Sequence, residues 1–175
     1  MILLAAKIPL PMTEDEFWKL IENSRKESGE CEAQAAALAW LLSAQSAQEI
    51  QSFDDIFAAK RAEAYRWDLW GAAYLINGGC SDDGFEYFRC WLIGQGRDVF
   101  ENALKNPDSL ANLLSGDEDD VECEDLLYVA DRAYEDLIGD PLPPRTYSGP
   151  LEPQGSEWDE DDLTEMFPQL AVKFS

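Results

Sequence analysis

The sequence predicts an all-α fold, a compact domain of about six to eight helices. Three observations predict it. Thr13-x-x-Glu16 and Ser46-x-x-Glu49 are capping boxes, in which each side chain satisfies a backbone donor that a helix start leaves open. Apolar residues recur three and four apart along most of the chain, the period of a helix with one buried face. No stretch alternates apolar and polar residues strongly enough to make a half-buried strand. At 175 residues, 46% apolar and 11% aromatic, the chain has the size and composition of one globular domain.

The first helix starts at the Thr13 box, carries Phe17, Leu20, Ile21 and Ser24 on one face, and ends near Gly29. The second, about Cys31 to Ala44, is rich in alanine, with Leu38, Leu41 and Leu42 as its apolar stripe. The third follows the Ser46 box and turns Ile50, Phe53 and Phe57 one way. Connections this short imply antiparallel neighbours. A fourth helix is expected over Lys60 to Ile76, apolar on two faces and so buried between layers. Asn77-Gly78-Gly79 ends it, and Ser81 caps a fifth that carries Phe85, Phe88, Trp91 and Leu92. Arg97 to Leu104 forms a short helix stopped before Pro107, with one more turn or two starting at Asp108 or Ser109. After an acidic loop at 116–120, Val121 to Ile138 reads as one amphipathic helix, with Leu126, Ala130, Ala133 and Leu137 inward. Prolines 141, 143, 144, 150 and 153 keep the next segment extended, and a last short helix near Asp159 to Phe167 precedes Pro168. The expected organisation is an N-terminal extension (1–11), an all-α domain (12–139) and an acidic arm (140–175) packing on it; Met12 is a better start for the fold than Met1.

Charge is the strongest compositional signal. Thirty-six acidic against 13 basic residues give a net charge of −23, and residues 106–175 alone carry 19 against 3, a net −16. Such a surface repels nucleic-acid backbones and anionic membranes, which excludes direct binding to either and favours a basic protein partner. No apolar run approaches the ~20 residues that span a bilayer. The N-terminal apolar run lacks the basic flank of a signal peptide, so a cytoplasmic setting is expected.

The four cysteines (31, 80, 90 and 123) have no Cys-x-x-Cys spacing and there is no histidine, which excludes the mixed Cys/His zinc sites. All four are expected as reduced thiols. Cys80, just before a helix start, is the sole nucleophile candidate with a physical reason for a lowered thiol pKa, and Asp82 and Asp83 oppose that shift.

The candidate ligand-binding group is Ser81, Asp82, Asp83, Glu86 and Arg89 over an aromatic floor of Trp70 and Trp91. Two adjacent carboxylates with a third one turn on can hold a cation or orient a substrate amine. The same residues also make an ordinary helix start, a serine cap with aspartates in the first turn and a surface pair at Glu86 and Arg89. The tryptophans fit buried helix faces as well as a stacking surface. Gly78-Gly79 lacks the Gly-Lys-Ser/Thr of a phosphate loop, and the loop from Asp117 has Val121 and Glu122 where a calcium loop needs an oxygen ligand and a glycine. No catalytic residue, metal or cofactor is assigned.

The segments from Leu69 to Tyr74, Ile76 to Arg89 and Trp91 to Ile93, with Gly96, resemble a bacterial family known only as domain of unknown function 4240. Met12 to Trp18, Asn106 to Ala111, Phe167-Pro168 and Leu170 are similar to it as well. The resemblance implies a bacterial origin and a cytoplasmic setting, leaves residues 1–11 outside, and brings no activity with it. From the residues themselves, the expected function is a non-enzymatic interaction or regulatory protein, immunity-like or inhibitor-like, whose acidic C-terminal region meets a basic partner. The alternative is a small-ligand or metal-binding enzyme with its site at the Gly78–Gly84 turn.

Overall fold

The computed structural model describes residues 11–26, 29–145 and 149–174. Among them the chain is all-α: α1 (Glu14–Arg25), α2 (Cys31–Ser43), α3 (Ala47–Glu63), α4 (Trp67–Asn77), α5 (Asp82–Gly94), α6 (Arg97–Lys105), α7 (Val129–Ile138), α8 (Leu163–Met166) and α9 (Pro168–Phe174). Short 3₁₀ helices lie at Pro107–Asn112, Glu124–Tyr128 and Glu160–Asp162. The expected N-terminal extension lies outside the described residues, apart from Pro11.

Both capping boxes form. Thr13 N donates to the Glu16 carboxylate at 2.8 Å while Thr13 Oγ1 accepts from Glu16 N at 3.3 Å, and Ser46 and Glu49 repeat the exchange. α2 packs between α1 and α7, and α3 lies against α5 and α7. The core holds two aromatic groups. Phe17, Trp18, Phe53 and Phe100 meet with ring centroids 4.9–5.4 Å apart, the separation of offset and edge-to-face pairs. Trp70, Phe85 and Phe88 form the second, with Trp91 at its edge.

Three stretches differ from the periodic expectation. The helix expected over Lys60 to Ile76 is two, because Arg66 is extended (φ −139°) and the flanking backbone pairs with Gln154: Gln154 N donates to Tyr65 O and Trp67 N to Gln154 O, each at 2.9 Å. The helix expected from Val121 starts only at Val129. Val121 N donates instead to Asn77 Oδ1 (2.9 Å) and Cys123 N to Tyr87 O (3.0 Å), so this backbone is held by α4 and α5. Leu137, expected inward, is 46% exposed. Finally, Pro168 begins α9 as well as ending α8; its missing N–H costs nothing at a first helical position.

The C-terminal segment is built into the core. Leu163, Phe167 and Leu170 are buried against α4, where Gly71 has no side chain because a Cβ there would stand 2.9 Å from Leu163 Cδ2. The buried Asp108 carboxylate accepts from Gln169 N (3.0 Å) and Leu170 N (2.9 Å), capping α9 from 61 and 62 residues away.

The expectation of four reduced thiols is corrected by a Cys31–Cys123 disulfide with Cα atoms 5.5 Å apart. Cys31 opens α2 and Cys123 precedes the 3₁₀ turn that packs on α2, so the bond joins neighbours in space that are 92 residues apart in sequence. Cys80 and Cys90 are free. No helix among the described residues is long and apolar enough to cross a membrane.

Candidate functional site

The C-terminal half of α3 and the N-terminal half of α5 diverge around an open cleft of about 450 Å³, within the usual range of ligand sites. Ala58 and Ala62 keep its α3 wall low, and Arg61 and Tyr65 rise from the same helix end. Asp82, Asp83, Glu86 and Arg89 come from α5; Arg145, Gly149, Pro150 and Leu151 close the third side. Asp82, Glu86 and Arg89 stand at i, i+4 and i+7, so one face of α5 presents all three.

Each cation is held differently. Arg61 pairs with Glu86 through Nη1, while its Nε is buried with no hydrogen-bond partner among the described residues. Arg145 grips the buried Asp54 with both Nε and Nη2, an Arg–carboxylate fork that fixes the start of the C-terminal segment. Arg89 has no carboxylate in ion-pair contact among the described residues. Its Nε donates to Phe85 O (3.2 Å) and its Nη1 to Arg61 O (3.0 Å), and its guanidinium lies 4.5 Å over the Tyr65 ring and 5.0 Å over Phe85. Burial and the neighbouring Arg61 charge lower the Arg89 pKa, against the pull of Glu86. It remains a cation, but one partly withdrawn from water beside a like charge.

Of the sequence-predicted site residues, Asp82, Asp83, Glu86 and Arg89 converge on this cleft. Ser81, Trp70 and Trp91 do not line it. Ser81 Oγ accepts from Gly84 N (3.1 Å) as the α5 cap, Trp70 Nε1 donates to Cys80 O (3.0 Å), and Trp91 packs on Phe88. The Glu86 partner is Arg61, not the Arg89 that sequence spacing offered. Arg61, Tyr65 and Arg145 escaped the sequence reading. Arg61 left one signal, a cation four residues after Phe57 on an apolar helix face.

The Cys80 thiol is pushed up to about 12, by burial first and then by Glu122, so it is protonated at neutral pH and a poor nucleophile. Among the described residues, no group of three or more Cys, Asp or Glu side chains is arranged to hold a metal ion.

A family model described as "Protein of unknown function (DUF4240)" matches residues 12–136, well over half of the chain. The chain belongs to that family. The DUF4240 match contains α3 and α5, hence Arg61, Tyr65, Asp82, Asp83, Glu86 and Arg89, and ends before Arg145 and the C-terminal segment. No curated protein and no solved structure matches the chain.

Proposed function

We propose that this protein binds a small ionic ligand in the cleft between α3 and α5. The observation that carries the reading is Arg89. In a chain with 36 acidic residues, a recessed guanidinium without an ion-paired carboxylate sits beside a second arginine in an open groove. The carbonyl of Arg61 at the end of α3 and the two rings hold the guanidinium in place, and an incoming anionic group would answer the charge that no carboxylate meets among the described residues. Tyr65 and Phe85 hold the guanidinium plane, so the site is preformed. The test is a thermal-shift and NMR screen of the whole protein against small anions and zwitterions, with the Arg89→Lys variant beside it. Binding is expected to perturb the Tyr65 ring and the Arg89 Nε–H and to be lost in Arg89→Lys, which keeps the charge without the planar fork. Binding that survives in Arg89→Lys refutes the assignment.

A second reading, an interaction protein for a basic partner, is favoured by the C-terminal half. Fifteen of the 19 carboxylates in 106–175 are exposed, and none of those fifteen is in an ion pair among the described residues. Deleting 140–175 would remove Leu163, Phe167 and Leu170 from the core, so neutralising Glu157, Asp159, Glu160, Asp161 and Asp162 is the cleaner probe. Salt-sensitive capture of a basic protein by the native chain but not by this variant supports the reading; equal capture by both refutes it. The setting belongs to the same question. A cytoplasmic chain is what the sequence led us to expect, whereas the Cys31–Cys123 bond favours an oxidising compartment, since disulfides rarely persist in a reducing one.

A further inference from the structure

We infer that the ligand of the cleft is a zwitterion of about a dipeptide's length, its carboxylate on Arg89 and its ammonium between Asp82 and Asp83; this rests on the cleft being a ligand site. The first ground is charge. The walls carry Arg61, Arg89 and Arg145 against Asp82, Asp83 and Glu86, with Asp54 behind Arg145 as a fourth carboxylate. Arg61 is answered by Glu86 and Arg145 by Asp54. Arg89 is left at one end and Asp82 and Asp83, exposed and outside any ion pair with the described residues, at the other. A dianion such as a phosphate monoester would meet Arg89 but also three carboxylates. An organic dication would satisfy the aspartates and abut Arg89. A molecule with one charge of each sign meets only opposite charges.

The second ground is donor supply. An arginine has five N–H groups, and Arg89 spends one from Nε and one from Nη1 on the Phe85 and Arg61 carbonyls. Those two bonds and the Tyr65 and Phe85 rings fix the plane, and three N–H groups on Nη1 and Nη2 are left to meet a carboxylate.

The third is spacing. Because Arg89 Nε reaches back to Phe85 O, its guanidinium stands near the level of residue 85. Asp82 and Asp83 lie two to three residues earlier, about 3–5 Å along the axis at 1.5 Å per residue. Helix side chains tilt toward the N-terminus, which carries the aspartates further away. In a free α-amino acid the ammonium and carboxyl carbon are only about 2.5 Å apart. In a dipeptide a trans peptide and one bond at each end set them about 5–6 Å apart.

The experiment titrates the whole protein, by calorimetry and by NMR, with alanyl-alanine and glycyl-leucine, their N-acetyl and C-amide forms, and free alanine. The dipeptides are expected to shift the Asp83 and Gly84 amides and the Arg89 Nε–H, and each blocking group to weaken Kd at least tenfold. Free alanine is expected to bind at least tenfold more weakly than the dipeptides. In the Asp82→Asn/Asp83→Asn double variant, changed only at exposed positions, the N-acetyl and free dipeptides are expected to bind alike. If N-acetylation costs nothing in the native protein, the site takes anions and the zwitterion is wrong while the cleft stands. If alanine binds as tightly as a dipeptide, the length is wrong. If no compound shifts any resonance, the zwitterion and the cleft fall together.

Discussion

Reducing the Cys31–Cys123 bond should lower the melting temperature by more than any single surface change. The bond closes a loop of 92 residues. The chain-entropy relation gives a loop of that size about 4.6 kcal/mol at 25 °C, an upper value because the reduced, unfolded chain retains some structure. At about 2–4 °C per kcal/mol for a chain of this length, the shift is about 9–18 °C. Differential scanning calorimetry of the oxidised protein, the same protein in a phosphine reductant, and a Cys31→Ser/Cys123→Ser double variant measures it. The variant should melt with the reduced protein, since both lose the same cross-link. Alkylation under denaturing conditions supplies the chemical control: two thiols, Cys80 and Cys90, before reduction and four after it. Four reactive thiols without reductant, or identical melting with and without it, would refute the pairing.

Two further outcomes test how the C-terminal half is held. Asp108→Ala removes the carboxylate that caps α9 through Gln169 N and Leu170 N and should cost about 1–3 kcal/mol. Hydrogen exchange at those two amides should speed up first, and unchanged exchange there would sink the idea that Asp108 anchors the helix. Glu118 is the acid-sensitive link. Burial opposes its ionisation, but backbone donors from Ser115, Gly116 and its own residue outweigh it and bring its pKa from 4.5 down to about 2. A depressed carboxyl pKa stabilises the fold above the ordinary value and loses that stabilisation as pH falls from about 4.5 to 2. The melting-temperature difference between native protein and Glu118→Gln should therefore be full at pH 6 and vanish near pH 2; a pH-independent difference would contradict it.

What the sequence made legible was whatever short-range chemistry decides. Capping boxes act over three residues, the Gly78 turn over five, and apolar periodicity over one helix, so α1, α2, α3, α5 and α6 lie close to where they were expected. Every large departure occurs where a backbone donor bonds outside its own segment. Tyr65 to Trp67 bind Gln154, Val121 and Cys123 bind the end of α4 and α5, and Gln169 and Leu170 bind Asp108. Periodicity assigns apolar faces and is blind to these partners. It read Leu126, Ala130 and Ala133 correctly as buried while placing them on one helix that the Val121–Cys123 backbone does not join.

The cleft divides along the same line. Asp82, Glu86 and Arg89 share a helix face, and spacing alone brings them together. Spacing then offers Glu86 to Arg89, three residues on, as an ordinary surface pair. The fold instead gives Glu86 to Arg61, 25 residues away, and sends Arg145 to Asp54 across 91. The Arg61–Glu86 pairing leaves Arg89 without an ion-paired carboxylate among the described residues, and no property of residues 82–89 foretells it. In a protein of net charge −23 a cation is the scarce group, and at this cleft one of the thirteen neutralises the carboxylate nearest another. The informative quantity is therefore the charge left over after the ion pairs are formed. At the α3–α5 cleft that remainder is one guanidinium facing two carboxylates, a pattern that a single ligand bearing both charges would complete.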